Sequence, residues 1–318
     1  MINLGLIGAG RWGKNYIRTI NKMENVNLSF VVDQNPQGLA GLIPETTFFS
    51  KDINEVRAIP IDGVIIASPT CTHASFMEHF IRLNVRYILC EKPMAISTRD
   101  AQNIAFLNRK LESQIFVGHT YLFHNALNEG IRRVKRGEIG DLLYVSSERL
   151  NFGPVRYDMN AVSDLVVHDI SIFKNMFEYQ IPEVLSAHGL DATGNGVEDV
   201  VEVKLDYKYA PVHIRAGWLN PEKVRKICFI GSRGMIVFDE MSENVLTKHN
   251  KFLETRHDFG YNEVDDGIEV IEFADGMSLS NQLSFFAEAV ELQADIDNVS
   301  FSTDIMVTID CINRELNK

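Results

Sequence analysis

The 318-residue chain is poor in the features that would tie it to a metal, a membrane or a nucleic acid. It has four cysteines, Cys71, Cys90, Cys228 and Cys311, far apart and with no C-x-x-C pair. Such spacing argues against a zinc ribbon or a disulfide framework and leaves reduced thiols. Basic residues are outnumbered, 31 Lys and Arg against 43 Asp and Glu, for a net charge of −12. General nucleic-acid binding needs a basic surface, because its affinity comes from the phosphate backbone. A small anionic ligand, which answers to local charge only, is not excluded. No stretch of about 20 apolar residues is present to cross a bilayer. The first apolar run is short and passes straight into glycines, unlike a secretory signal. The expectation is a cytoplasmic protein with neither membrane nor nucleic acid as partner.

What is present is an ordinary globular composition, 45% apolar and 23% charged, on a chain too long for one typical core. Two domains are expected, residues 1–120 and 121–318. The chain opens I-N-L-G-L-I-G-A-G-R-W-G, in which an apolar run ends at Gly8, Gly10 and Gly13. In a G-x-G-x-x-G turn the first glycine makes the tight exit from a strand. The second lets a pyrophosphate approach the backbone, and the third lets the next helix pack closely. The N–H groups of that helix's first turn, here near Arg11 and Trp12, face the phosphates, and its dipole favours their charge.

A helix over residues 14–23 and a strand over 28–32 follow, the strand ending at Asp33, twenty residues after Gly13. That is where a dinucleotide fold places the carboxylate for the adenosine ribose. Its charge repels a 2′-phosphate and no arginine follows, so NAD is expected rather than NADP. The alternative is a turn residue ahead of Pro36.

Strand and helix patterns alternate to about residue 119: strands at 63–67, 87–90 and 115–117, helices at 74–83 and, from a Ser97–Asp100 capping box, to 111. This predicts an α/β fold with a doubly wound parallel sheet. Beyond a helix at 125–136, strands follow one another at 142–150, 184–187, 197–206, 212–218 and 224–230. A G-S-R-G hairpin then leads to 235–238. This second region reads as an α+β domain with a large, mainly antiparallel sheet. One helix near 164–178 interrupts it, and helices at 281–294 and 304–316 close the chain.

Ligands of open parallel sheets bind at the carboxyl ends of the strands. One such end carries Ser68, Thr70 and His73; another carries Glu91, Lys92 and Pro93. An ammonium there suits an active site, although a solvated charge pair is common at a strand end. The third candidate is D-L-V-V-H-D, where Asp164 and His168 are four apart and share one helix face. A histidine there can take an alcohol proton near neutral pH, and a carboxylate one turn away can orient it. A helix cap at Asp164, a core histidine, or half a metal site are the alternatives. No metal is expected, since nothing ties His119 or His124 to the pair.

The series G-A-G-R-W-G, A-S-P-T-C-T-H, C-E-K-P-M-A and D-L-V-V-H-D resembles the Gfo/Idh/MocA oxidoreductases over essentially the whole chain. The resemblance implies a Rossmann domain and an antiparallel sheet domain, with the last helices packing back on the first. It implies oxidation of a ring hydroxyl of a sugar or cyclitol with NAD(P), in a homodimer or homotetramer. Lys92 matches the family's active-site lysine, and Asp164 and His168 its second pair. Glu91, Ser68, Thr70 and His73 would line the nicotinamide half, and the Lys92–Pro93 bond is often cis in relatives.

E-R-L-N-F-G-P-V-R and W-L-N-P-E-K-V-R-K resemble the branch containing UDP-N-acetylglucosamine 3-dehydrogenases. In that reading Arg149, Arg156, Lys223 and Arg225 meet a diphosphate, where otherwise they are solvated strand ends. Ser163 and Val166-Val167 depart from that branch's usual residues beside the catalytic pair. Other readings are an inositol or free-sugar dehydrogenase, a keto-sugar reductase, and an NAD-sensing regulatory protein without catalysis.

Overall fold

The computed structural model describes residues 1–256 and 260–318. It divides into two compact units, Met1–Phe123 with Met277–Met306, and His124–Gly276 with Val307–Lys318.

The first unit is built on β1 (Ile2–Ile7), β2 (Val26–Val32), β3 (Phe48–Ser50), β4 (Gly63–Ile66), β5 (Tyr87–Glu91) and β6 (Gln114–Gly118). They form one parallel sheet in the order β3-β2-β1-β4-β5-β6. Val64, Ile65 and Ile66 are wholly buried, as expected of a strand covered on both faces. Helices α1 (Arg11–Ile20), α2 (His73–Arg82) and α3 (Thr98–Leu111) connect the strands. α3 starts where the capping box places it, with Ser97 Oγ accepting the Asp100 N–H at 3.1 Å. The order reverses direction at β1, so the carboxyl ends of β1 and β4 flank the crevice where doubly wound sheets bind ligands.

The second unit begins with α4 (Asn125–Lys135) and β7 (Leu142–Phe152). After a π-helical turn, Val162–Val166, come α5 (Val167–Met176), β8 (Glu183–Leu190), β9 (Val200–Asp206) and β10 (Pro211–Gly217). β11 (Leu219–Gly231), β12 (Gly234–Asp239), β13 (Leu246–Thr255) and β14 (Tyr261–Val270) complete its strands. The eight strands order as β14-β13-β12-β11-β7-β10-β9-β8. All neighbours are antiparallel except β7 and β10. Along β10, Val212, Ile214 and Ala216 are buried while His213 and Arg215 are exposed, so one face of the sheet packs inward.

α6 (Ser278–Leu292) and α7 (Val299–Leu316) end the chain. Leu283, Phe286 and Ala287 of α6 share a core with Leu4, Tyr16 and Leu28 of the first unit. Among the described residues no helix is long and apolar enough to cross a membrane.

Three elements differ from what the sequence pattern predicts. The helix expected near 164–178 is a π turn followed by α5, so Asp164 and His168 sit on different helical geometries. β13 and β14 occupy a region that showed no strand pattern, because β14 is exposed along most of its length and has little apolar alternation to read. β3, only three residues long, was also missed.

Candidate functional site

At the glycine turn, Gly8 has φ +89°, and a Cβ there would lie 2.5 Å from the Ser68 nitrogen. A Cβ on Gly13 would lie 2.0 Å from the Gly8 carbonyl oxygen, so α1 packs onto the turn only because residue 13 has none. Gly10 is different: a Cβ there would meet no protein atom within 4 Å. No side chain caps α1 and its first turn holds no acid. An uncapped helix start beside open space left by a glycine fits the pyrophosphate of a dinucleotide. Arg11 and Trp12 are exposed at this helix start. Asp33 lies at the end of β2, its Oδ2 accepting the Ala9 N–H at 2.5 Å and its Oδ1 the Asn35 N–H at 2.7 Å. Its carboxylate therefore fastens the turn, and each oxygen retains a lone pair for a ribose hydroxyl.

Beyond β4, Ser68 Oγ and Thr72 Oγ1 are 2.7 Å apart, and Thr70 is buried. His73 does not face ligand space. It is 1% exposed, with Nδ1 2.9 Å from the Pro93 carbonyl and Nε2 2.9 Å from the Ser68 carbonyl. It thus ties the end of β4 to the segment after β5, and burial pushes its pKa down although the two carbonyls oppose that.

Glu91 is likewise a support rather than a lining residue. It is buried and accepts the Tyr16 hydroxyl at 2.6 Å on Oε1 and the Lys92 N–H at 3.2 Å on Oε2. Gln282 of α6 donates to Tyr16 at 3.1 Å, completing a chain from Gln282 through Tyr16 and Glu91 to the Lys92 backbone. Burial raises the Glu91 pKa, against the Tyr16 hydrogen bond and the Lys92 charge, and raises that of Tyr16 further beside Glu91. His119 donates to or accepts from Ser302 at 3.0 Å, and burial, then the Lys92 charge, pushes its pKa down to about 3. Lys92 is half-buried and its bond to Pro93 is cis. Tyr16 and Gln282 were missed at the sequence level: one reads as an apolar position of α1, the other lies 266 residues away.

In the second unit, Asp164 sits on the π turn. Its Oδ2 accepts the Trp218 indole N–H at 3.3 Å, and its Oδ1 lies 3.7 Å from the Arg156 guanidinium. π turns widen a helix locally and recur at functional sites. His168 follows in the first turn of α5, half-buried. Asp169, next to it, is wholly buried and takes both Arg149 Nε at 3.0 Å and Ser147 Oγ at 2.7 Å.

Arg149 is therefore not a surface cation for a diphosphate. It is 3% exposed and committed to Asp169. Arg225 is also engaged, donating to the Leu150 and Val224 carbonyls and to Asn151 Oδ1, each at 2.7 Å. Arg156 is half-exposed and paired with Asp158 at 2.6 Å, and Lys223 is exposed. No group of three or more His, Cys, Asp or Glu among the described residues could hold a metal ion.

The parallel sheet with its open glycine cradle defines a dinucleotide-binding protein. Residues 2–119 match the profile of an oxidoreductase family with an NAD-binding Rossmann fold, and residues 131–237 match the GFO/IDH/MocA C-terminal domain. The chain belongs to the Gfo/Idh/MocA oxidoreductase family, and its first unit carries that family's NAD-binding Rossmann domain. A crystal structure from Magnetospirillum magnetotacticum MS-1 is 29% identical, with TM-score 0.83 over 98% of this chain and 99% of that one. The 2,7-anhydro-N-acetylneuraminate hydratase of Escherichia coli K12 is 27% identical over 75% of this chain and 68% of its own length. The UDP-N-acetylglucosamine 3-dehydrogenase of Acidithiobacillus ferrooxidans is 25% identical over 53% of this chain and 52% of its own. The matches to these two curated relatives span about two thirds and about half of their own lengths, and the two differ in substrate and reaction by name.

Proposed function

We propose that the protein oxidises a ring hydroxyl of a sugar to a ketone with NAD⁺, and that the substrate is a UDP-N-acetylhexosamine oxidised at C3. The observation that carries the reaction class is the uncapped glycine cradle at the end of β1 in the same sheet that presents Lys92 at the end of β5. With β4 between them, the two strand ends are two strand spacings apart, about 10 Å. NAD⁺, when bound, supplies the hydride acceptor for the carbinol carbon. Asp33, whose charge disfavours a 2′-phosphate, supports NAD over NADP.

Of the chain's own groups, His168 takes the proton of the reacting hydroxyl, and Asp164 orients His168 or a neighbouring hydroxyl. Lys92 holds the negative charge that develops on oxygen. Lys92 and His168 can exchange their roles, the lysine then taking the proton and the histidine holding the charge. Glu91 and Tyr16 fix the Lys92 backbone from behind.

The nucleotide-sugar reading is supported in the second unit by the segment after β7. There Arg156 and the exposed aromatics Phe152 and Tyr157, at 78% and 83%, occupy one short stretch. Phe152 pairs with Leu219 at the end of β11 that also carries Lys223. Cations for a diphosphate and bare aromatic faces for a base are what such a substrate requires. Arg149 and Arg225, committed to Asp169 and to the Leu150, Val224 and Asn151 oxygens, are not among those cations.

The test is to incubate the protein and NAD⁺ with UDP-sugars, inositols and free hexoses, reading NADH by absorbance and the oxidised position by NMR. Turnover confined to inositols or free hexoses would reject the nucleotide-sugar reading. Lys92→Ala and His168→Ala should each lower kcat by about 10²-fold or more while NAD⁺ still binds. Near-wild-type kcat in both would remove these residues from the chemistry.

A further inference from the structure

The first unit contains a cavity of about 450 Å³ that no step of the proposed reaction uses. It lies at the edge of the parallel sheet opposite the glycine turn. Ile61 and Asp62, just before β4, and Val85 and Arg86, just before β5, form one side. β1, β4 and β5 run parallel, so this edge is a strand length, about 13 Å for β4, from the end carrying the glycine turn and Lys92. The volume falls within the range of small-molecule sites, roughly 300–1,000 Å³.

Its lining has an unusual charge balance for a protein of net charge −12. Ile53, Ile59, Phe80 and Val290 give apolar walls, and Arg57, Arg86 and His79 bring the polar groups. Neither arginine has a carboxylate partner among the described residues. Arg86 reaches only the Gln293 carbonyl, at 3.4 Å, and lies 5.6 Å above the Tyr87 ring. The acid of the lining, Asp62, is engaged through Oδ2 with the Asn3 N–H at 2.7 Å. Arginines without acids, beside walls that are partly apolar, are matched by an anion that brings its own apolar body.

We infer that this cavity is a binding site for an organic anion, a carboxylate or sulfonate on an aromatic or branched apolar body, held by Arg57 and Arg86. The site is independent of the proposed activity. Because it lies at the opposite strand edge, its ligand does not compete with the dinucleotide.

The probe is 1-anilinonaphthalene-8-sulfonate, an aromatic sulfonate whose fluorescence rises in an apolar site. It is titrated into the full chain with saturating NAD⁺ present, so that the dinucleotide site is filled. The expected result is saturable binding at one site per chain. Arg57→Gln and Arg86→Gln should each weaken it about tenfold or more, the loss of one charge-assisted contact. Both arginines are exposed, so the variants should keep the wild-type melting temperature and NAD⁺ affinity. Absence of saturable binding with NAD⁺ bound, or undiminished binding in either variant, overturns the assignment.

Discussion

Tyr16 shows how a side chain outside every motif can govern one inside. It lies in the second turn of α1 and delivers its hydroxyl to Glu91, whose other oxygen holds the Lys92 N–H. Tyr16→Phe deletes the donor and leaves Glu91 Oε1 and the Gln282 amide facing a ring edge. Buried polar groups left unpaired cost about 1–3 kcal/mol each, so the variant should unfold at lower urea concentration. The Tyr16 hydrogen bond lowers the Glu91 pKa against the pull of burial, so its removal lets that pKa climb. If Glu91 must be ionised to hold Lys92, the acid limb of the kcat–pH profile moves to higher pH in the variant. An unmoved limb alongside lost stability would reduce Tyr16 to a packing residue. Arg149 teaches the converse: a cation beside a promising motif can be wholly structural. Removing one member of a buried pair strands the other, so Asp169→Ala should cost roughly 3–5 kcal/mol in urea unfolding. Asp169→Leu combined with Arg149→Met should cost less than the single change.

At the scale of elements, the glycine turn separates two kinds of conservation of space. Gly13 is required by the protein itself, since its Cβ would overlap the Gly8 carbonyl. A Cβ on Gly10 would point into space that no other part of the protein fills within 4 Å, so a ligand is what needs it bare. Gly13→Ala should therefore lower the melting temperature, whereas Gly10→Ala should melt like wild type and lose about tenfold or more in NAD⁺ affinity by calorimetry. Equal melting temperatures with unaltered NAD⁺ affinity in Gly10→Ala would move the pyrophosphate elsewhere. The turn, five of the six strands of the first sheet and the hairpin at Gly231 and Gly234 were legible because local chemistry alone dictates them; β3, three residues long, is too short to carry a pattern. Buried parallel strands read as apolar runs, and glycines mark turns that other residues cannot make. The π turn was not legible: its sequence has the apolar spacing of an α-helix, and the extra residue per turn comes from tertiary placement around Asp164 and Trp218. β14 escaped for another reason, since Glu263, Asp265, Asp266 and Glu269 leave no buried face to impose a pattern. Of the site, the motif residues could be named in advance, but not which of them face a ligand. His73, Glu91 and Arg149 turned inward because their partners, Pro93, Tyr16 and Asp169, are set by the fold.

For the whole molecule, these inward-facing polar groups set the response to acid. His73, His79, His119, His124 and His249 all have pKa values below the ordinary histidine value, burial being the first cause in each. Unfolding exposes them, so the unfolded chain binds more protons than the native one below about pH 6.5, and stability rises with pH through that window. Glu91 and Asp297 act in the opposite sense: burial raises their pKa values, so their contribution favours the folded state at low pH and fades as pH rises through the folded values. His119 offers the clearest case, since its folded pKa of about 3 places the whole window between roughly pH 6.5 and 3. Its contribution is complete above the unfolded value and lost as pH falls toward the folded one. One proton taken up on unfolding tilts stability by about 1.4 kcal/mol per pH unit. His119→Asn cannot titrate, yet its amide can still meet Ser302. At pH 7 the variant should be the less stable, having lost the edge-on contact with Phe301. Toward pH 4 the wild type should lose stability faster, narrowing or reversing the gap. Urea midpoints at pH 7, 5.5 and 4, followed by far-ultraviolet circular dichroism, give the comparison directly. If the two stability curves run parallel across that range, His119 titrates alike in the folded and unfolded chains, and its burial contributes nothing to acid sensitivity.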